Sequence, residues 1–215
     1  MRGPRMHKPN AEDICRLLRI DSIYGYVRET NPSNDLPYHN WIHTQHMVES
    51  VYEGALYHDL PLQSQIDLVV AALFHDYGHS GGKTDDVTNI KVAKQALDLY
   101  TAMRYHMVEY IPDVVRLLIS VTQYPFTTAP IFAQEKIIRD ADLMEMGRDT
   151  WHEMVIEGLR KEIQVSRNRE ITLEEMYRGQ LDFHATAVWY TDWGLAFREN
   201  NVVPNLNKIK DLLTS

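Results

Sequence analysis

The stretch LQSQIDLVVAALFHD (residues 62–76) is strongly apolar and ends in a histidine followed by an aspartate. It is longer than an ordinary strand and corresponds to about four helical turns, so it predicts a helix with a buried centre. The next stretch, YGHSGGKTDD (77–86), contains three glycines, which break a helix. The polar pair His75 and Asp76 is therefore expected where a buried helix meets a turn.

Helical periodicity continues toward the N-terminus. AEDICRLLRI (11–20) follows Asn10, a residue type that caps helices, and places apolar side chains on one face. NPSNDLP (31–37) predicts a loop, because proline and asparagine favour turns. Residues from about 39 to 57 fit a further helix.

The C-terminal half shows the same pattern. Residues 172–200 predict one long helix or two pieces that meet near Gly179. No segment alternates apolar and polar residues as a strand does. The chain is therefore predicted to be an all-α helical bundle and a single domain over residues 1–215. Its motif core would span about 36–147, and helices within 150–213 would complete the bundle.

Composition excludes several classes of protein. The chain has 215 residues, 44% of them hydrophobic, and a net charge of −8, which disfavours a surface for long nucleic acids. Cys15 is the single cysteine, so neither a disulfide framework nor an all-cysteine metal site is expected. No apolar run reaches the roughly 18 residues of a membrane span. These features predict a cytoplasmic enzyme or binding protein without a membrane segment.

Three histidines lie close together in LPYHNWIHTQHMV (36–48). His39 and His43 are four residues apart, and His43 and His46 are three apart. On a helix such pairs share a face, so at least two imidazoles could point to one place.

Two aspartates interrupt the apolar segment IIRDADL (137–143). Buried carboxylates are costly unless they are paired or bind a metal, so Asp140 and Asp142 require a cation or a hydrogen-bond partner. Imidazole and carboxylate together suit zinc, iron, manganese or magnesium.

The order of these residues, a histidine, then an adjacent His-Asp pair, then a distant aspartate, resembles the HD-domain metal-dependent phosphohydrolases. The resemblance covers about residues 36–147. It implies an HD-type helical bundle that binds one or two divalent ions, Mn, Mg, Zn or Fe. The metal ligands that it implies are His43, His75, Asp76 and Asp142. Asp140 is the alternative to Asp142 as the last ligand.

Two motifs are similar to those of class I cyclic-nucleotide phosphodiesterases. YHNWIHTQHMV resembles their YHNxxHxxxV element, and ALFHDYGHSGG resembles ALxHDxxHPG. This resemblance implies that His39 protonates the leaving oxygen and that His79 hydrogen-bonds water at the metal. It also places Asn89 where the family often has an asparagine. The alternative for His39 is a loop histidine that binds Asn40 or a carbonyl.

The chain also departs from that pattern. His46, Gly78 and Ser80 replace two aspartates and the proline, and the glutamine and phenylalanine that clamp the purine are not found. The shared hydrolytic chemistry is therefore better supported than cyclic-nucleotide specificity, and small phage and bacterial HD proteins are the closer resemblance. His46 is expected to line the pocket.

The predicted function is metal-dependent hydrolysis of a phosphoester in a small nucleotide, with metal-activated water attacking phosphorus. Lys83, in the glycine-rich turn, either contacts phosphate or is solvated. The alternatives are a nucleotidase or nucleoside triphosphate phosphohydrolase, a di-iron oxygenase that takes ligands such as His79 and His106, and a nucleotide sensor without catalysis. Arg139 and Lys83 are the only basic residues beside the motifs, which is few for a triphosphate.

Overall fold

The computed structural model describes residues 8–103, 113–126 and 128–214, and these residues form helices and loops without a strand. The predicted all-α helical bundle is thereby confirmed. His106 lies outside the described residues. Within the described part of the chain, no helix has both the length and the apolar character needed to cross a membrane.

The N-terminal half contains α1 to α5. Their bounds are Ala11–Leu17, Asp21–Thr30, Trp41–Tyr57, Leu62–Phe74 and Asp86–Met103. Helix α1 begins at a capping box, in which the Asn10 side chain accepts from the Asp13 amide and the Asp13 carboxylate faces the Asn10 amide. Helix α4 is buried from Asp67 to its end at Phe74, and it packs along α3.

The C-terminal half contains α6 to α11. Their bounds are Asp113–Val121, Ala133–Asp142, Arg160–Arg167, Leu173–Thr186, Asp192–Phe197 and Val203–Thr214. A 3-10 segment, Met144–Gly147, follows α7, and π-helical turns span His152–Leu159 before α8 and Arg198–Val202 before α11. Helix α7 packs on α3 and α4, and α10 packs on α3 and α7.

A continuous hydrophobic core connects these helices from Ala11 to Ile209. Its largest fully buried side chains include Tyr100, Phe74 and Met47. Because α3, α4 and α7 all line this core, their ends are fixed relative to one another, and the ends that carry the polar motifs meet on one side.

Three local predictions are corrected. Helix α3 begins at Trp41 and not at residue 39, because the Asn40 side chain accepts from the amides of Ile42 and His43 and caps the helix. Helix α4 ends at Phe74, so the His-Asp pair follows it. Helix α9 continues through Gly179, and the break lies at residues 187–191, where Asp140 binds the backbone.

Candidate metal centre

The ends of three helices bring His43, His75 and Asp142 together. Nε2 of His43 lies 3.3 Å from Nε2 of His75 and 3.5 Å from Oδ1 of Asp142. One potential ligand atom from each of the three residues lies within 4.8 Å of the other two. Both imidazoles are buried, whereas the Asp142 side chain is 22% exposed, so the cluster opens to solvent on its carboxylate side.

Asp76 lies beside both imidazoles. Its Oδ2 is 2.9 Å from Nε2 of His75 and 3.4 Å from Nε2 of His43. This oxygen is buried and forms no hydrogen bond with any described residue. Ligands about 2.1 Å from one ion lie about 3.0 Å apart in octahedral and about 3.4 Å apart in tetrahedral geometry, which agrees with these spacings. The donor set and the unpaired oxygen therefore fit a divalent metal ion.

The orientation of His75 is fixed by the backbone. Its Nδ1 donates to the carbonyl oxygen of Ala72 at 2.8 Å, within the last turn of α4. A neutral His75 with its proton on Nδ1 directs the Nε2 lone pair into the cluster, which is the form that binds a metal.

The cluster attracts positive charge. Burial disfavours protonation of His43, but Asp142, Glu145 and Asp76 outweigh burial and raise the pKa of His43 to about 10. Burial likewise lowers the pKa of His75, and the Asp76 carboxylate reverses the effect, so that this pKa is also raised. Protons and metal ions therefore compete for the same nitrogen atoms.

A second polar group lies next to the cluster and contains His39, His79 and Glu162. Nδ1 of His39 donates to Oε2 of Glu162 at 2.6 Å, and the His39 and His79 rings stack with centroids 3.5 Å apart. The other carboxylate oxygen of Glu162 accepts from the amides of Tyr38 and His39 at 2.7 and 3.1 Å. Glu162 thus fixes the chain just before α3.

His79 is the neutral histidine of this group. Burial, together with the charge of His39, lowers the pKa of His79 to about 4, so His79 is neutral near pH 7. Its Nδ1 accepts from the amide of Gly81 at 3.2 Å, which leaves the ring proton on Nε2. Because one ring nitrogen is hydrogen-bonded to Glu162 and another to Gly81, this group is better described as a hydrogen-bonded pair than as a metal site.

Glu162 remains ionised although it is buried. Burial alone would raise the pKa of this carboxyl, but hydrogen bonds from the His39 ring and from the amides of Tyr38 and His39 outweigh it, and the pKa is lowered. An anion therefore faces Nδ1 of His39.

Asp140 and Asp142 have separate surroundings. The Asp140 carboxylate is fully buried and accepts from the amides of Tyr190 and Thr191 and from the Thr191 hydroxyl, at 2.7–2.8 Å. It lies against Gly194, where a Cβ would collide with it. The structure thus brings Asp142 to the histidines and uses Asp140 to hold the start of α10.

The remaining predicted residues lie around the cluster. His46 points to Glu145, with Nδ1 3.0 Å from Oε2. Asn89 is buried, and its side-chain oxygen accepts from the Ser80 amide and the Thr84 hydroxyl. These two hydrogen bonds hold the glycine-rich turn in place. Lys83 is exposed on this turn and forms no ion pair with a described residue.

Two carboxylates of the site were not predicted from the sequence. Glu145 is 3% exposed and lies among Leu143, Met144 and Met146, so the signal that identified the two aspartates, a charge within an apolar run, applies to it as well. Glu162 sits in the charged stretch RKEIQ and carries no such signal. Only the packing of α8 against the loop before α3 reveals it.

Comparison with family models, curated proteins and solved structures finds no match for this chain. The chemistry of the site is therefore inferred from its own side chains.

Proposed function

We propose that this protein is a metal-dependent hydrolase of a phosphoester bond in a small nucleotide. The observation that carries the proposal is the convergence of His43, His75 and Asp142, with Asp76 beside both rings. A pair of histidines with a buried carboxylate lies directly next to this cluster. Metal ligands and a proton donor side by side are what hydrolysis of a phosphoester requires.

The ion would be held by His43, His75, Asp76 and Asp142. Once bound, it would supply an activated water and offset the negative charge that develops on phosphorus. The two imidazoles would bind through Nε2, Asp76 would supply its buried Oδ2, and Asp142 would supply an oxygen atom on the open side. Manganese, magnesium, zinc and iron all accept such a mixture of nitrogen and oxygen ligands.

His39 is proposed to protonate the leaving oxygen. Its Nδ1 is bound to Glu162, so the proton that it can deliver is on Nε2. The His39 side chain is 20% exposed, which leaves it accessible to a substrate. Glu162 holds the ring and stabilises the protonated form before transfer, as a buried carboxylate does for a histidine in other hydrolases.

His79 is proposed to act as a neutral hydrogen-bond donor. Its pKa of about 4 keeps it uncharged at neutral pH, and its Nε2 nitrogen lies 3.9 Å from Oδ1 of Asp86. Stacking against His39 restricts the rotation of both rings. His39 is the member of the pair whose ring is bound to the Glu162 carboxylate at 2.6 Å, which favours it as the proton donor.

The basic side chains favour a substrate with few charges. Arg139 is buried, donates to the carbonyl of Val121 and lies 3.3 Å from the centre of the Phe126 ring. Arg148 donates to the carbonyl of His46. Neither guanidinium is available for phosphate, which supports a monoester or diester over a triphosphate.

The test is turnover of a substrate panel by the purified protein with Mn²⁺ or Mg²⁺. The panel contains 3′,5′- and 2′,3′-cyclic nucleotides, dinucleotides, nucleoside monophosphates and nucleoside triphosphates, with products resolved by chromatography. Asp76→Asn is the inactive control, and Asp85→Asn, an exposed aspartate of the same turn, is the matched control.

We expect one class of monoester or diester to be hydrolysed by the wild-type protein and by Asp85→Asn, and not by Asp76→Asn. No metal-dependent turnover across the panel would refute a nucleotide hydrolase. Release of triphosphate from a nucleoside triphosphate would instead establish the alternative phosphohydrolase activity.

A further inference from the structure

A buried nitrogen of the metal centre faces a carboxylate without bonding to it. Nδ1 of His43 is buried and forms no hydrogen bond with any described residue. The nearest carboxylate to it is that of Glu145, with Oε2 at 3.6 Å. An imidazole that binds a metal through Nε2 is neutral and carries its proton on Nδ1, and a buried donor without an acceptor is costly.

Glu145 is itself firmly held. Both of its oxygens lie within 3.1 Å of Nδ1 of His46, and the Thr150 hydroxyl donates to Oε1 at 3.3 Å. The position of the Glu145 carboxylate is therefore set from one side by His46 and Thr150.

Glu145 also belongs to the same segment as a predicted ligand. It lies in the 3-10 turn Met144–Gly147, immediately after the end of α7 at Asp142. His46 lies one turn after His43 on α3. Helix α3 thus carries both His43 and His46, and the segment that ends α7 carries both Asp142 and Glu145.

We propose that Glu145 is the positioning residue of the metal centre, which accepts the Nδ1 proton of His43 and is held in place by His46. This inference rests on the metal site of the proposed function. It predicts that ion binding draws His43 and Glu145 from 3.6 Å into a hydrogen bond. Carboxylate partners of ligating histidines typically contribute about tenfold to hundredfold to metal affinity.

The first experiment measures affinity for Mn²⁺ by the electron paramagnetic resonance signal of the free ion. Glu145→Gln keeps the shape of the side chain and removes its charge. Glu49→Gln is the control, because Glu49 lies on α3 beside Arg148 and makes no contact with a ligand. We expect Glu145→Gln to weaken Mn²⁺ binding about tenfold to hundredfold and Glu49→Gln to leave it within twofold of wild type.

The second experiment needs only the wild-type chain and decides the question if Glu145→Gln fails to fold. In ¹⁵N-histidine spectra with Zn²⁺, His43 should show a proton on Nδ1, shifted downfield by the carboxylate and protected from exchange. The proposal is overturned if His43 carries no Nδ1 proton in the zinc form, or if folded Glu145→Gln binds Mn²⁺ as tightly as wild type.

These outcomes are distinguishable from failure of the proposed function. Wild-type protein that binds no metal would overturn both proposals. Wild-type protein that binds Mn²⁺ tightly and hydrolyses nothing on the substrate panel would refute the hydrolase alone, and the Glu145 measurements would still stand.

Discussion

Asp140 and Asp142 are two residues apart, yet the structure predicts opposite consequences for their replacement by asparagine. Asp140 accepts three hydrogen bonds in the interior and contacts no histidine of the cluster. Asp142 lies 3.5 Å from His43 and is partly exposed. Asp140→Asn should therefore cost stability, whereas Asp142→Asn should cost metal binding.

The cost at Asp140 follows from its hydrogen bonds. Asparagine can keep both bonds from Thr191 through its oxygen, but its amide group would then face the Tyr190 amide, so one bond is lost and two donors are opposed. Hydrogen bonds to a charged group contribute about 1.5–3 kcal/mol each. Burial raises the pKa of the Asp140 carboxyl, and removal of the buried charge recovers part of the loss. We expect a net decrease of about 1–3 kcal/mol in the free energy of unfolding.

The cost at Asp142 should be small without metal. Its contact with the buried His43 ring is a single 3.5 Å ion pair, and Asp76 and Glu145 would stay beside that ring at 3.4 and 3.6 Å, so we expect a loss of about 1 kcal/mol. With metal present, the loss of stability caused by Asp142→Asn should be large. A hundredfold excess of ion over its dissociation constant stabilises the folded wild-type chain by about 2.7 kcal/mol, which raises the melting temperature of a chain of this size by about 5–10 °C.

Urea denaturation in EDTA and thermal denaturation with Mn²⁺ separate the two effects. Asp140→Asn should unfold at lower urea and keep the Mn²⁺-dependent rise in melting temperature. Asp142→Asn should stay within about 1 kcal/mol of the wild type in EDTA and lose that rise. The reasoning is refuted if Asp140→Asn retains full stability in EDTA, or if Asp142→Asn retains the full response to Mn²⁺.

Three further predictions concern other parts of the chain. Glu162→Gln should lower kcat about 10- to 100-fold with little change in KM, because His39 loses its carboxylate partner. The control Glu157→Gln should keep the wild-type kcat, and equal kcat values for Glu162→Gln and the wild type would contradict the proposed proton donor. Gly82→Ala should destabilise the protein in urea by about 1–3 kcal/mol, because φ of Gly82 is +87° and a Cβ would collide with the Glu162 carbonyl. Gly179→Ala is the matched control: Gly179 lies within α9 with open space around it, so alanine should stabilise the protein by about 0.5–1 kcal/mol. Burial, with the charge of Arg198, lowers the pKa of His184 to about 4, below the value near 6.5 in the unfolded chain. The free energy of unfolding should therefore fall by up to about 3 kcal/mol between pH 6.5 and pH 4. His184→Leu should flatten this pH dependence, and an unchanged slope would exclude His184 as its source.

Much of the architecture could be predicted from local patterns. The apolar stretch before His75 and the glycines after it locate the buried helix and its end, because a run of apolar residues needs an interior and glycine ends helices. The start of α3 was placed two residues early. Asn40, a preferred capping residue, carries the signal for the correct start at Trp41.

The cluster of His43, His75 and Asp142 was assembled from order and resemblance, and the packing of α3, α4 and α7 brings its members together. Glu162 could not be found in this way. It contacts His39 across 123 residues of chain, and a charged residue on an amphipathic helix is ordinarily solvent-exposed. Long-range contacts of this kind depend on how helices dock, which local periodicity does not encode.

The π-helical turn at His152–Leu159 tolerates a change in chain length that α8 does not. Its backbone hydrogen bonds span five residues where those of an α-helix span four, so the turn takes up an extra residue within the helix. Deletion of one residue there would let the turn close as an α-helix and leave α8 in register, with Glu162 still facing His39. Deletion of Lys161, within α8 and just before Glu162, would instead rotate that carboxylate by about 100°. His43, His75 and Asp142 lie on or directly after other helices and would stay together in both cases.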